Sequence, residues 1–135
     1  MHDRLGRVPG QPELRTLAHN PDARPVPGMT IVRPRGPLSF ANIQRVRTEI
    51  MAALDAVTPP PHVVLIDFEA VTDIEITVLD EFTKMTADLR ARRIVPWVAA
   101  AVADQREMGR RFGTNEDLRS FPTAQTAVAA YEAGT

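Results

Sequence analysis

The sequence lacks cysteine and any long apolar run, and each absence removes a class of protein. With no cysteine among its 135 residues, the chain has no disulfide and no thiolate for catalysis or metal binding, and a reducing compartment is permitted. No stretch reaches the roughly 20 consecutive apolar residues that a membrane-spanning helix needs. The opening residues MHDRLGRVPG also lack the apolar core of a secretory signal. We therefore expect a soluble chain.

Charge of either sign is not in excess. Sixteen basic residues are interspersed with 17 acidic ones, for a net charge of −1, so no basic face is available for nucleic acid. The three histidines, His2, His19 and His62, are far apart in the sequence and do not have the spacing of metal ligands. We expect neither a nucleic-acid partner nor a metal site.

The first 28 residues differ in composition from the rest of the chain. They contain five prolines and three glycines, a density of breakers that opposes any long helix or strand. Length and an apolar content of 44% suit one globular domain of ordinary size. We therefore predict an extended linker over residues 1–28 and a single domain over residues 29–135.

The most specific segment of the sequence is residues 62–89. Residues 63–68, VVLIDF, form a short β-rich apolar run that predicts a strand covered on both faces. From Ile74 onwards the apolar spacing is helical, which predicts a helix over residues 74–89. Thr72 and Glu75 have the spacing of a capping box, so we expect this helix to begin at the turn itself. Its unpaired N–H groups would then favour an anion.

The remaining patterns complete an α/β fold. Residues 29–33 and 38–41 predict two strands that form a hairpin around a turn at residues 35–37. Asn42 is a candidate N-cap for a helix that reaches Val57, and residues 94–102 predict a further strand. Residues 104–112 and 123–131 predict two more helices. The predicted fold is a single α/β domain with a mixed, mostly parallel sheet of about four strands, an opening hairpin and four flanking helices.

Taken together, these segments resemble the STAS domain, which occurs in anti-sigma-factor antagonists and at the cytoplasmic C-terminus of SulP/SLC26-type anion transporters. Four segments carry the resemblance: VVLIDFEAVTDIEITVLDEF, PLSFANIQRVRTEI, FPTAQTAVAAYEA and LGRVPG. The second and the last are similar to the transporter branch. The resemblance implies a non-catalytic regulatory domain of a sulfate-type anion transporter, at the cytoplasmic face of the cell membrane. Its partners would be the transmembrane domain, a second protomer in a homodimer, or a cytosolic regulatory protein.

The candidate site is the strand-to-helix junction, where we expect a partner-binding or regulatory loop. Its residues are Thr72, Asp73, Glu75, Ile76, Thr77 and Asp80. In helical projection Ile76 lies outside the apolar stripe, which predicts an exposed apolar side chain. The antagonist branch carries an Asp-Ser-Ser turn whose second hydroxyl is phosphorylated, and the resemblance places Thr77 at that position. The surrounding carboxylates disfavour an added phosphate, and local hydrogen bonding also explains a threonine there.

Two alternatives stay open beside the transporter domain. One is a free-standing anti-sigma-factor antagonist switched by phosphorylation at Thr77, and the other is a regulatory module that binds a nucleotide, GTP or ATP. No catalytic constellation is present in the sequence. Ser39 and Ser120 lack a neighbouring histidine and a G-x-S-x-G setting, and the glycines form neither a phosphate-binding loop nor a dinucleotide motif. We therefore predict no enzyme activity and no other cofactor.

Overall fold

A computed structural model describes residues 2–101 and 118–134, and a six-stranded sheet runs through its centre. The strands are β1 (His2–Arg7), β2 (Leu14–Thr16), β3 (Met29–Pro34), β4 (Gly36–Leu38), β5 (Val63–Asp67), β6 (Val71–Ile74), β7 (Val95–Ala99) and β8 (Arg119–Phe121). The described helices are α1 (Ile43–Asp55), α2 (Val78–Ala91) and α3 (Ala124–Glu132), with one 3-10 turn at Leu17–His19.

The strand order in the main sheet is β2-β1-β3-β5-β7-β8. Strands β3, β5, β7 and β8 are parallel, whereas β1 is antiparallel to both of its neighbours. Strands β4 and β6 form a separate parallel pair. The predicted mixed, mostly parallel α/β sheet is confirmed, but the main sheet has six strands instead of about four.

The N-terminal segment contributes two of those six strands. The sequence predicts an extended linker over residues 1–28, but β1 lies between β2 and β3 and Leu5 is buried. Val26 is buried in the same apolar cluster as Leu5. The five prolines and the other two glycines fall outside the strands and Gly6 pairs within β1, so these residues do not prevent strand pairing. The resemblance to a transporter domain also implies that residues 1–28 form a juxtamembrane segment, and this stays a prediction.

The predicted opening hairpin is wrong. Strand β4 does not pair with β3; it pairs in parallel with β6. Gly36, between the two predicted strands, has a φ of 80°, and its N–H donates to the carbonyl of Ala70 at 2.9 Å. This left-handed conformation, which glycine adopts without a steric cost, turns the chain away from β3. The antiparallel part of the sheet comes from β1 and β2 instead.

Helices cover both faces of the sheet. Helices α1 and α2 pack on one face, and α3 packs on the other. The predicted helix after Asn42 is confirmed as α1, whose buried residues are Ile43, Val46, Ile50 and Leu54. The predicted C-terminal helix is confirmed as α3, and a capping box between Thr123 and Thr126 begins it. The helix predicted over residues 104–112 lies outside the described residues, which contain three helices instead of four.

Candidate functional site

The junction after β5 is formed by a second strand and not by the start of a helix. Strand β5 is fully buried, as its apolar run predicts. The chain then forms β6, and α2 begins only at Val78. The predicted helix start at residue 74 and the capping box of Thr72 and Glu75 are therefore wrong. Strand β4 supplies the reason, because its backbone pairs with these residues; the N–H of Glu75 donates to the carbonyl of Leu38 at 3.0 Å.

The first turn of α2 offers less to an anion than the sequence predicts. The N–H of Val78 donates to the carbonyl of Glu75 at 3.0 Å, and the N–H of Leu79 donates to that of Ile76 at 3.1 Å. Two of the N–H groups at this helix start are therefore already bonded. Asp80 and Glu81 add negative charge to the same turn. Thr77 is the N-cap residue, is exposed, and makes no side-chain capping bond.

An exposed aromatic side chain that the sequence prediction missed lies beside this junction. The side chain of Phe40 is 78% exposed, and that of Ile76 is 48% exposed. The backbone N–H of Phe40 donates to the carboxylate of Glu75 at 3.1 Å, and Glu75 directly precedes Ile76. Phe40 and Ile76 together are called the apolar patch. The predicted exposure of Ile76 is confirmed.

A short turn before α1 holds Phe40 in place. The Oδ1 of Asn42 accepts the N–H of Ser39 at 3.0 Å, and its Nδ2 donates to the carbonyl of Pro37 at 2.8 Å. Asn42 is the N-cap residue of α1 as predicted, although its side chain bonds this turn and not the helix. The sequence predicts a strand over residues 38–41, but β4 ends at Leu38 and Phe40 lies in a turn, so its exposure does not follow from the predicted strand.

Three carboxylates close to Ile76 in the sequence are called the acidic rim: Asp73, Glu75 and Asp80. All three are exposed. Asp73 accepts the N–H of Ile74 at 2.9 Å, and Asp80 forms an ion pair with Lys84 at 3.4 Å. The ammonium of Lys84 also contacts Glu81, and these hydrogen bonds, that to Glu81 first, raise the pKa of Lys84.

Ion pairs fix the two helices whose N-terminal ends flank the patch. Arg47 on α1 contacts Glu81 at 3.0 Å and Asp88, both on α2. The hydrogen bond to Asp88 is the main cause that raises the pKa of Arg47. Near the other ends of the helices, Arg92 contacts Asp55 at 2.6 Å. The patch therefore lies at one end of a braced helix pair.

One buried carboxylate lies at the carboxyl end of β5, where ligands bind in many α/β sheets. Asp67 is fully buried, and it accepts the Nε of Arg33 at 3.0 Å and the N–H of Glu69 at 3.0 Å. Arg33 also contacts the carboxylate of Glu69 at 3.1 Å. These bonds link the ends of β3 and β5, so the group is structural.

The described residues contain neither a candidate metal site nor a candidate membrane span. Within residues 2–101 and 118–134, no three histidine, aspartate or glutamate side chains lie close enough to hold a metal ion. In the same part of the chain, no helix combines the length and the apolar character needed to cross a bilayer.

Comparison with known proteins identifies both the sequence family and the fold. A "Probable sulfate transporter" of Mycobacterium tuberculosis (strain H37Rv) is 29% identical over 130 residues, which are 94% of this chain and 23% of that protein. The chain thus spans less than a quarter of this relative. The fold matches the murine Solute Carrier 26 family member A9 anion transporter with a TM-score of 0.88 at 19% identity, over 98% of this chain and 22% of that one.

The same fold occurs in a second functional class. An anti-sigma factor antagonist from Mycobacterium paratuberculosis matches with a TM-score of 0.65 at 18% identity, over 81% of this chain and 90% of that one. A family model described as the STAS domain matches residues 20–127. Because that match covers most of the sequence, the chain belongs to the STAS domain family.

Proposed function

We propose that this chain is a non-catalytic regulatory and protein-interaction domain of a SulP-type anion transporter. The observation that carries the proposal is the match to a sulfate transporter, which covers 94% of this chain but 23% of the relative. A domain of this size would regulate transport through contacts, and the anion pathway would lie in another part of the protein. The substrate class would be a sulfate-type anion.

The apolar patch and the loop over residues 72–80 would form the contact surface. The domain would lie at the cytoplasmic face of the membrane and contact the transmembrane domain of its own transporter. A second protomer and a cytosolic regulatory protein are the other partners that this surface would suit. Support comes from two exposed apolar side chains at one end of the molecule, since exposed apolar surface is typical of interfaces.

An uptake assay tests this function. In the full-length protein reconstituted in vesicles, we expect Phe40→Ser/Ile76→Ser to change the rate of radiolabelled sulfate uptake by about fivefold or more, the lower range of ordinary coupling between sites. The matched control is Val95→Ser, which alters an apolar side chain that is 51% exposed at the amino end of β7. A native reading frame without membrane spans would contradict the transporter assignment, and equal uptake in all three proteins would contradict regulation through the patch.

A free-standing anti-sigma-factor antagonist is the second candidate function. It is favoured by Thr77, whose exposed hydroxyl makes no capping bond, and it is disfavoured by the acidic rim, because like charges oppose a phosphate. Incubation with candidate anti-sigma kinases, followed by mass spectrometry, tests it. Absence of a phosphate on Thr77 and of any complex with the kinases would remove this candidate.

Nucleotide binding at the same junction also stays a prediction. Titration with GTP and with ATP, followed through the backbone amide resonances, tests it directly. Shifts confined to residues 72–80 would support a nucleotide site. Unchanged amides there would contradict it, as the bonded N–H groups of Val78 and Leu79 lead us to expect.

A further inference from the structure

We propose that the apolar patch docks a partner segment in which basic residues flank an apolar anchor. This inference rests on the proposed function, because it specifies the chemistry of the partner at the same surface. The partner is a polypeptide segment that carries lysine or arginine beside an aromatic or aliphatic side chain.

The exposed apolar side chains favour an apolar anchor on the partner. Among the described residues, three large apolar side chains are exposed: Phe40, Ile76 and Val95. The segments that carry Phe40 and Ile76 are joined, because the carboxylate of Glu75, the residue before Ile76, accepts the backbone N–H of Phe40 at 3.1 Å. The turn fixed by Asn42 holds Phe40 outward, so this exposure is built into the local backbone. A partner with an apolar side chain would remove both groups from water.

The acidic rim determines the charge beside the patch. The carboxylate of Glu75 binds the backbone of Phe40, and Asp73 and Asp80 lie three residues before and four residues after Ile76. Lys84 pairs with Asp80 and with Glu81, and its single positive charge offsets only part of the negative charge of these four carboxylates. The rim therefore presents negative charge to an approaching partner. Complementary charge steers association and rejects like-charged partners, so the surface favours a basic segment. Such binding weakens as the salt concentration rises.

The backbone of the β4–β6 pair favours docking through side chains over addition of a strand. The N–H of Glu75, directly after β6, donates to the carbonyl of Leu38 on β4, so by the alternation of an extended chain the N–H of Ile74 points away from β4. The carboxylate of Asp73 already accepts this N–H at 2.9 Å. On β4, Pro37 has no N–H to offer. Neither strand therefore presents a continuous free edge to a partner.

Selection from a random library identifies the chemistry of the occupant. Phage-displayed dodecapeptides are first depleted on folded Phe40→Ser/Ile76→Ser and then selected on the wild-type chain. Because both side chains are exposed, we expect the variant to keep its fold, which circular dichroism verifies. The expected result is enrichment of peptides with net positive charge and at least one aromatic or aliphatic residue.

The affinity of the best peptide then separates charge from apolar contact. Fluorescence anisotropy is measured at low and at physiological salt on the wild type and on Asp73→Asn/Asp80→Asn. Loss of two rim carboxylates is expected to weaken binding about three- to tenfold at low salt, the sum of two exposed charge contacts, and to flatten the salt dependence. The matched control, Glu13→Gln/Asp22→Asn, removes the same charge from exposed positions in the N-terminal segment and is expected to bind as the wild type does.

Each other outcome overturns the inference in a distinguishable way. Enriched peptides that are neutral or acidic would overturn the basic partner and leave the proposed function standing. No enrichment, or equal binding to the depleted variant, would overturn docking at the patch, and the uptake assay would still test the proposed function. Sedimentation that shows a dimer of the wild type, lost in Phe40→Ser, would assign the patch to a second copy of the chain.

Discussion

At the scale of single residues, Arg93 adopts a backbone conformation that suits glycine. Its φ is 62°, and it follows α2 in a Schellman motif, in which the N–H of Ile94 donates to the carbonyl of Leu89 at 2.9 Å. A left-handed conformation costs a residue with a Cβ about 1–2 kcal/mol. Glycine avoids this cost, but part of the benefit is lost because glycine gives up more conformational entropy on folding. We expect Arg93→Gly to raise the free energy of unfolding by about 0.5–1 kcal/mol in urea denaturation.

The control for this prediction is a glycine one turn earlier. Arg90 lies in the last turn of α2 and is exposed. There Arg90→Gly is expected to lower the free energy of unfolding by about 0.5–1 kcal/mol, because glycine disfavours a helix interior. Equal effects of the two substitutions would contradict the role of the positive φ at Arg93.

Close packing around Gly6, in the LGRVPG segment, leaves no space for a side chain. A Cβ at Gly6 would lie 2.4 Å from the carbonyl oxygen of Arg24 and 2.5 Å from a methyl carbon of Leu17. At Gly10 a Cβ would meet nothing within 4 Å, although its φ is 84°. We expect Gly6→Ala to destabilise the protein by about 1–3 kcal/mol, the usual cost of overpacking.

The comparison of these two alanine variants separates packing from backbone strain. For Gly10→Ala the expected loss is about 1 kcal/mol, from the positive φ alone. A flexible linker would tolerate both changes equally. Thermal melts in which Gly6→Ala unfolds at the temperature of the wild type would show that β1 does not pack as described.

The errors of sequence prediction at the residue scale have a common cause. Thr72 and Glu75 have the spacing of a capping box, but a spacing of three residues contains no information about β4, which lies more than 30 residues earlier in the chain. Backbone pairing with that strand decides the conformation of both residues. Phe40 was missed for a related reason, since the pattern over residues 38–41 predicts a strand, whereas β4 ends at Leu38 and Phe40 lies in a turn. The exposure of Ile76 was predicted correctly from helical projection, although the residue precedes α2, so the projection does not describe its backbone.

At the scale of elements, the sequence predicts well those that bury a continuous apolar stripe. Strand β5 and helix α1 follow directly from their apolar spacing. Strand β1, HDRLGR, has one buried large apolar side chain, so its composition is that of a loop. Its pairing with β3 is what stabilises it, and a local pattern cannot reveal a partner strand.

An ion pair joins β1 to α3 and gives the stability a pH dependence. The two Nη nitrogens of Arg7 donate to the carboxylate of Glu132, and hydrogen bonding to Arg7 lowers the pKa of Glu132 below its ordinary value of 4.5. A carboxyl with a lower pKa in the folded state contributes stability above its unfolded pKa and loses it as the pH falls through the folded pKa. We expect the contribution to be present at pH 7 and to be lost below about pH 4.5.

The measurement compares the wild type with Glu132→Gln in urea denaturation from pH 7 to pH 3. Because both side chains are about one-third exposed, solvent screens the pair. The expected difference at pH 7 is therefore about 0.2–1 kcal/mol, and it should shrink toward zero at pH 3. The matched control is Glu13→Gln, which removes the carboxylate of a more exposed pair with Arg15. A difference that is constant with pH would contradict the contribution of Glu132.

At the scale of the whole molecule, the sheet is built from both ends of the chain. Strand β1, from the N-terminal segment, lies inside the sheet beside β3, and β8, from the C-terminal part, lies at the far edge. The apolar cluster under α3 contains Leu5 and Val26 together with Trp97 and Val128. A domain that began at residue 29 would therefore lack part of its core. The family match from residue 20 also begins after β1 and β2.

Removal of the N-terminal segment tests this architecture. A chain of residues 29–135 would expose the edge of β3 and would lack the buried side chains of Leu5 and Val26. Burial of each such side chain stabilises the fold by about 1.5–3 kcal/mol. Against a typical domain stability of about 5–15 kcal/mol, we expect the truncated chain to lose most of its cooperative unfolding transition, measured by circular dichroism and calorimetry.

A replacement chain and an added peptide test whether the loss is due to β1 itself. A chain in which a Gly/Ser sequence of equal length replaces residues 1–28 is expected to unfold like the truncated chain, because length alone does not restore β1. A synthetic peptide of residues 1–28, added to the truncated chain, is expected to restore part of the transition by pairing with β3. If residues 29–135 melt cooperatively at the temperature of the intact chain, then the segment is a linker after all, and β1 contributes nothing to the fold.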